Sequence, residues 1–113
     1  MVRVVALLLA IGCTTKAQNK PPPPVMPAAE AHRAEEACKA YVDRICACSS
    51  PAAQRQCPLA KAMPAALKLA LEVVVNPASP PEDAARAQVN VRETVKECIE
   101  QTAKLPTIGC SGQ

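Results

Sequence analysis

Six cysteines between positions 38 and 110, Cys38, Cys46, Cys48, Cys57, Cys98 and Cys110, constrain the fold of this chain more than any other feature. A chain of 113 residues holds one domain at most. Half of its residues are apolar, yet 22 are alanine, Tyr41 is the sole aromatic, and there is no Phe or Trp. A core of small aliphatic side chains is marginal at this length. Cross-links supply what such a core lacks. In a loop-entropy description each bridge contributes about 3–4 kcal/mol, with nested loops not additive. A typical net stability is roughly 5–15 kcal/mol. Three glycines make a glycine-rich phosphate cradle or a loop-rich β-sandwich a poor fit.

The apolar periodicity is helical throughout. Across residues 28–48, Ala34, Ala37, Cys38, Tyr41, Val42, Ile45 and Cys48 recur at steps of three and four, one face of a 3.6-residue period. Glu35 and Lys39 form an acid-first pair four residues apart. Ser49-Ser50-Pro51 reads as a helix start, with a serine cap before a proline. Pro58 and Pro64 each remove a backbone donor, so this stretch reads as a short helical turn over 51–57, a kink, and a main helix from Pro64 to Val75. Its apolar face is Met63, Leu67, Ala70, Leu71 and Val74. Asn76-Pro77 stops it. Ser79-Pro80-Pro81-Glu82 starts the third helix, with Ser79 as the cap. That helix runs to about Lys104, with Ala84, Ala87, Val91, Val95, Cys98, Ile99 and Thr102 as its buried stripe and Glu100–Lys104 as a second acid-first pair. The expected fold is all-α: a small three-helix up-down-up bundle stapled by disulfides.

The N-terminal residues read as an address. One basic residue, Arg3, precedes eight apolar residues, Val4 to Ile11, too short a run to span a bilayer core of about 30 Å. Leu9-Ala10-Ile11-Gly12-Cys13 then resembles the lipobox of bacterial lipoproteins, with Ala10 where that family usually has Leu. The resemblance covers residues 1–13. It implies that residues 1–12 are a signal peptide, that Cys13 becomes a lipid-bearing N-terminus anchored in a membrane, and, because Thr14 is not Asp, that the protein sorts to the outer membrane of the cell envelope. Cysteine parity agrees: seven is odd, and assigning Cys13 to lipid leaves an even set of six. Residues 13–27, with four consecutive prolines from Pro21 to Pro24, read as a spacer between anchor and domain. Residues 28–113 are then the Cys-rich helical domain.

Three uses of the six cysteines compete. Structural bridges suit an exported protein. A metal site is disfavoured, because Cys46 and Cys48 diverge by about 200° on a helix and the paired two-residue gaps of zinc sites are missing. Redox catalysis by Cys46 and Cys48 is disfavoured because a helix C-terminus does not stabilise a thiolate. Helices one and three run the same way, which places Cys98 beside helix one. Cys57 is expected to meet Cys48 across the first connection, and Cys110, just past the end of helix three, lies nearer the level of Cys46, which leaves Cys38 for Cys98. A Cys38–Cys46 bond is excluded by a separation of about 12 Å along one helix.

The remaining chemistry is sparse. The single histidine, His32, reads as a solvated surface residue, and no nucleophile partners it. Without residues 1–12 the chain has 12 Lys and Arg against 10 Asp and Glu, interleaved and without aromatics, which is no basis for nucleic-acid binding. No cofactor, metal or small-molecule substrate is implied. The expectation is a membrane-anchored structural or protein-interaction module that is not an enzyme. The rivals are a periplasmic thiol–disulfide factor using Cys46 and Cys48, and a helical inhibitor or effector with a protein target.

Overall fold

The computed structural model describes residues 26–110. The leader, Cys13 and most of the spacer lie outside the described residues. Three helices form, α1 (Ala28–Ala47), α2 (Pro51–Val75) and α3 (Pro81–Lys104), followed by a 3-10 turn over Leu105–Ile108. There is no strand among the described residues. The helices pack up-down-up as a three-helix bundle, and three disulfides staple it.

The core is made where the three apolar stripes meet. α1 buries Ala34, Cys38, Tyr41 and Ile45; α2 buries Ala53, Ala60, Leu67 and Leu71; α3 buries Ala87, Gln88, Val91 and Cys98. Leu105 from the 3-10 turn closes one end. Met26, which the sequence places in the spacer, is 5% exposed and belongs to this core. The chain therefore packs against the bundle two residues before α1 begins.

α2 departs from its expected shape. It is one continuous helix with Pro58 and Pro64 inside it, where the sequence suggests a broken segment. Each internal proline costs about 3 kcal/mol of helix stability. The opposing interactions are non-local: Ala53, Ala60, Leu67 and Leu71 align only if the helix is unbroken, and they bury one face along its whole length. The start is locally fixed too. Ser50 Oγ accepts a hydrogen bond from Ala53 N at 3.2 Å, and Pro51 occupies the first turn.

Smaller corrections have the same origin. Pro80, not Ser79, is the N-cap of α3 and makes no side-chain cap bond. Ser79 Oγ instead donates to Val73 O at 2.7 Å, satisfying a carbonyl at the end of α2. The stripe on α3 is narrower than expected, because Ile99 is 56% exposed. Lys39 pairs with Asp43 at 3.0 Å and Lys96 with Glu100 at 3.8 Å, so the lysines choose other neighbours than the Glu35–Lys39 and Glu100–Lys104 pairs suggest.

Candidate functional site

All six cysteines of the described domain are in disulfides: Cys38–Cys98, Cys46–Cys57 and Cys48–Cys110. The first joins the helices the sequence brings side by side. The other two exchange the partners expected for them, for a geometric reason. Because α2 is helical from Pro51, Cys57 sits about 9 Å down that helix from its start, at a rise of about 1.5 Å per residue. It therefore meets Cys46 in the last turn of α1 and passes below Cys48. Cys48 has left the helix, with an extended backbone (φ −79°, ψ 131°), and faces the returning chain. Gly109 turns that chain with a positive φ of 87° and delivers Cys110 to it. A Cβ at Gly109 would sit 3.3 Å from Ser50 Cβ, a crowded approach.

α1 and α3 are held in one parallel register by three links of nearly equal offset. Cys38–Cys98 spans 60 residues, Cys48–Cys110 spans 62, and the Glu30–Arg92 hydrogen bond also spans 62. Around Cys48–Cys110 the end of the bundle is densely tied. Ser50 Oγ lies 3.5 Å from Cys48 Sγ and 3.7 Å from Cys110 Sγ, and Gln54 Nε2 donates to Cys48 O at 3.1 Å. The bridges differ in access. Cys38 and Cys98 are fully buried and Cys48 and Cys110 nearly so, whereas Cys46 and Cys57 are half-buried.

Titratable groups do not converge. Among the described residues no three His, Cys, Asp or Glu side chains are grouped to hold a metal ion. His32 is exposed, its Nε2 3.1 Å from Glu36 Oε1. Arg92 Nε donates to Glu30 Oε1 at 2.9 Å, and that bond holds the Glu30 carboxyl below its ordinary range and raises the guanidinium. Burial, with a smaller contribution from the Glu97 charge, pushes the Tyr41 phenol up. Cys46 and Cys48 are not bonded to each other, so they do not form one exchanging pair in this structure.

The surface carries shallow clefts between helices. One of about 440 Å³ lies between α2 and α3 and includes Leu69, Val73, Arg86 and Asn90. Another, of about 400 Å³, includes Tyr41, Gln56, Leu59 and Glu97. A third, of about 260 Å³, lies between α1 and α3 beside Glu30, Arg92 and Ile99. None gathers a nucleophile with a base. No described helix is long and apolar enough to cross a membrane. The chain matches no protein-family model, no curated protein and no solved structure. The described residues form a small bundle locked by sulfur bridges, with apolar side chains left on its outside. Leu59, Leu69, Val75, Val89 and Ile99 are all more than half exposed, which neither the helical stripes nor the cysteine pattern announced. The signal for those on α2 was in the sequence, as apolar residues outside the single stripe assigned to that helix.

Proposed function

We propose that the chain is an exported lipoprotein of the cell envelope, anchored through Cys13, whose helical domain works by contact with other macromolecules and catalyses no reaction. The observation that carries this reading is that each of the six domain sulfurs is committed to a bridge fixing two parts of the bundle. Such bridges persist in an oxidising compartment outside the cytoplasm. They also hold the outward faces of the helices in one arrangement, which lowers the ordering cost of binding. The lipobox-like residues 9–13 and the following proline-rich spacer suit a domain held off a membrane surface, with Thr14 favouring the outer membrane.

Intact-mass measurement of the chain purified from membranes tests the anchor. The expected mass lacks residues 1–12 and carries acyl chains on Cys13. An unmodified Cys13, or a Cys13→Ser chain that stays in the membrane fraction, overturns it. Alkylation of the native protein tests the domain: no thiol should react, and a scrambled substrate should be neither reduced nor isomerised. The rival thiol–disulfide reading has one observation in its favour, the greater access of Cys46–Cys57. If that bridge opens near the potential of a glutathione pool, roughly −200 mV, with helicity retained, the redox reading takes precedence.

A further inference from the structure

The outward side of α2 has an order that its place in the bundle does not require. Leu59, Ala62, Ala66, Leu69 and Val73 recur at alternating steps of three and four, the spacing of the a and d positions of a coiled-coil heptad. All five are exposed, Leu59 to 74% and Leu69 to 65%. The residues that pack into the bundle from the same helix, Ala53, Ala60, Leu67 and Leu71, lie on its other side. α2 thus has two apolar stripes, and the bundle uses one. The second runs for about 21 Å at a rise of about 1.5 Å per residue. Its two ends are charged and opposite in sign. Arg55, one heptad step before Leu59, marks the first end, and Glu72, beside Val73, marks the other. Between them the helix has only Lys61 and Lys68 as charges, both off the stripe. Neither Arg55 nor Glu72 joins the ion pairs formed among the described residues.

We propose that this stripe is the contact between two copies of the chain, with α2 packed antiparallel on α2 about a twofold axis at the level of Pro64. In that register Leu59 meets Leu69 of the second copy, Ala62 meets Ala66, and Val73 lies under the stem of Arg55. The layers are apolar, large at the ends and small in the middle, so the two helices can approach at the near end of the usual separation of about 8–10 Å. The same register sets Arg55 beside Glu72 of the second copy, twice, because the axis repeats each contact. A parallel pairing would set Arg55 against Arg55 and Glu72 against Glu72. The charges of α2 therefore favour the antiparallel arrangement; Asp83 and Arg86 of α3, which border the cleft beside Leu69 and Val73, are opposite in sign to each other and leave that preference with Arg55 and Glu72. A lipid surface is the poorer occupant: the stripe lacks the aromatic residues that anchor interfacial helices, and Glu72 lies at its edge. The contact is smaller than the standard interface of roughly 1,600 Å², so the dimer is weak and concentration-dependent. The proposal deepens the interaction-module reading, on which it rests for its purpose. It does not depend on the Cys13 anchor.

Sedimentation equilibrium of the oxidised, detergent-solubilised full chain over a wide concentration range tests it, with helicity and bridges checked in every variant. The natural chain is expected to pass from monomer to dimer. Leu69→Asp should abolish the dimer while leaving the fold intact. Arg55→Glu alone and Glu72→Arg alone should each weaken association about tenfold, two exposed pairs at up to about 1 kcal/mol each being affected. The double variant should recover the natural affinity, which a merely structural role for either residue would not produce. A chain that stays monomeric at every concentration overturns the proposal. So does a dimer indifferent to Leu69→Asp, or a monomer whose membrane retention falls on Leu69→Asp with Cys13 still acylated. Failure of the anchor itself is read separately, by mass at Cys13.

Discussion

At one end of the bundle α1 passes to α2 and the 3-10 turn folds back over both; at the other, α2 passes to α3 beside the start of α1. The first end has two disulfides, Cys46–Cys57 and Cys48–Cys110, the Ser50 cap, and the Gln54 bond to the carbonyl of Cys48, the C-cap of α1. The second end has no covalent link among the described residues. It is held by an Asn76 turn in which Ala78 N donates to Asn76 Oδ1 at 2.9 Å, by the Ser79 bond to Val73 O, by Glu30–Arg92, and by Met26. The fully buried Cys38–Cys98 bridge lies between the two. The lesson concerns loops. A disulfide gains most where it closes a long stretch of chain; the 60-residue closure joins α1 to α3, and the 62-residue closure joins the residue after α1 to the chain that returns beyond the 3-10 turn. The short closure, Cys46–Cys57, spans 11 residues across the α1–α2 connection, while the α2–α3 connection is held by hydrogen bonds from Asn76 and Ser79.

The contrast is broken most severely by removing a long closure. Cys38→Ala with Cys98→Ala, or Cys48→Ala with Cys110→Ala, should cost about 4 kcal/mol, and Cys46→Ala with Cys57→Ala about 3 kcal/mol, in the loop-entropy description. Denaturant unfolding followed by circular dichroism measures the order, and a short closure that costs more than a long one contradicts it. Stepwise reduction sharpens the same comparison by access. As reductant is raised, alkylation mapped by mass should find Cys46 and Cys57 first and Cys38 and Cys98 last, because an incoming thiolate must reach a sulfur.

Next in size is the turn that delivers Cys110. Gly109→Ala should cost about 1–2 kcal/mol, since φ is positive there and the new Cβ crowds Ser50. A loss well below this would show that the returning chain can shift. Ser50→Ala removes a cap and two close sulfur contacts, and should cost about 1 kcal/mol. Ser79→Ala, at the unbridged end, removes one bond to Val73 O and should cost less. Equal losses would mean that the two ends are equally demanding of their caps.

The smallest effect is electrostatic. Arg92 lowers the folded-state pKa of Glu30, so the folded chain holds fewer protons on that carboxyl than the unfolded chain. The pair's contribution is present above the unfolded value of 4.5 and is lost as pH falls through the lower folded value. Glu30→Gln should flatten this part of the acid limb of a thermal-midpoint profile and change little at neutral pH. An unchanged acid limb would show that the pair contributes nothing measurable. Tyr41 gives the opposite sign at the other extreme: its raised pKa means that its contribution holds below about 10 and is lost above it. Ultraviolet titration should find the phenol ionising later in the folded chain than in the unfolded one.

The helical periods around Tyr41 and Val91, the serine–proline start at Ser50-Pro51 and the end of α3 at Lys104 are local patterns, and they are legible from a window of a few residues. Up-down-up packing sets α1 and α3 side by side in one direction, which permits the Cys38–Cys98 bond, and the sequence reaches that pair by elimination. The exchange of partners between Cys46 and Cys48 turns on two tertiary placements: Cys57 lies level with the last turn of α1, and Cys48 has left α1 in an extended conformation that faces Cys110.

The sequence by itself determined an even set of cysteines after Cys13, three helical stretches and a core of small aliphatic side chains, since each is a matter of composition or short-range spacing. Only the tertiary structure decided that α2 is unbroken, that Met26 belongs to the core, that Gly109 swings Cys110 onto Cys48, and that a second apolar stripe on α2 remains uncovered. In each case a local cost or preference was outweighed by burial or cross-linking with residues distant in the chain, and such interactions exist only once the helices have packed.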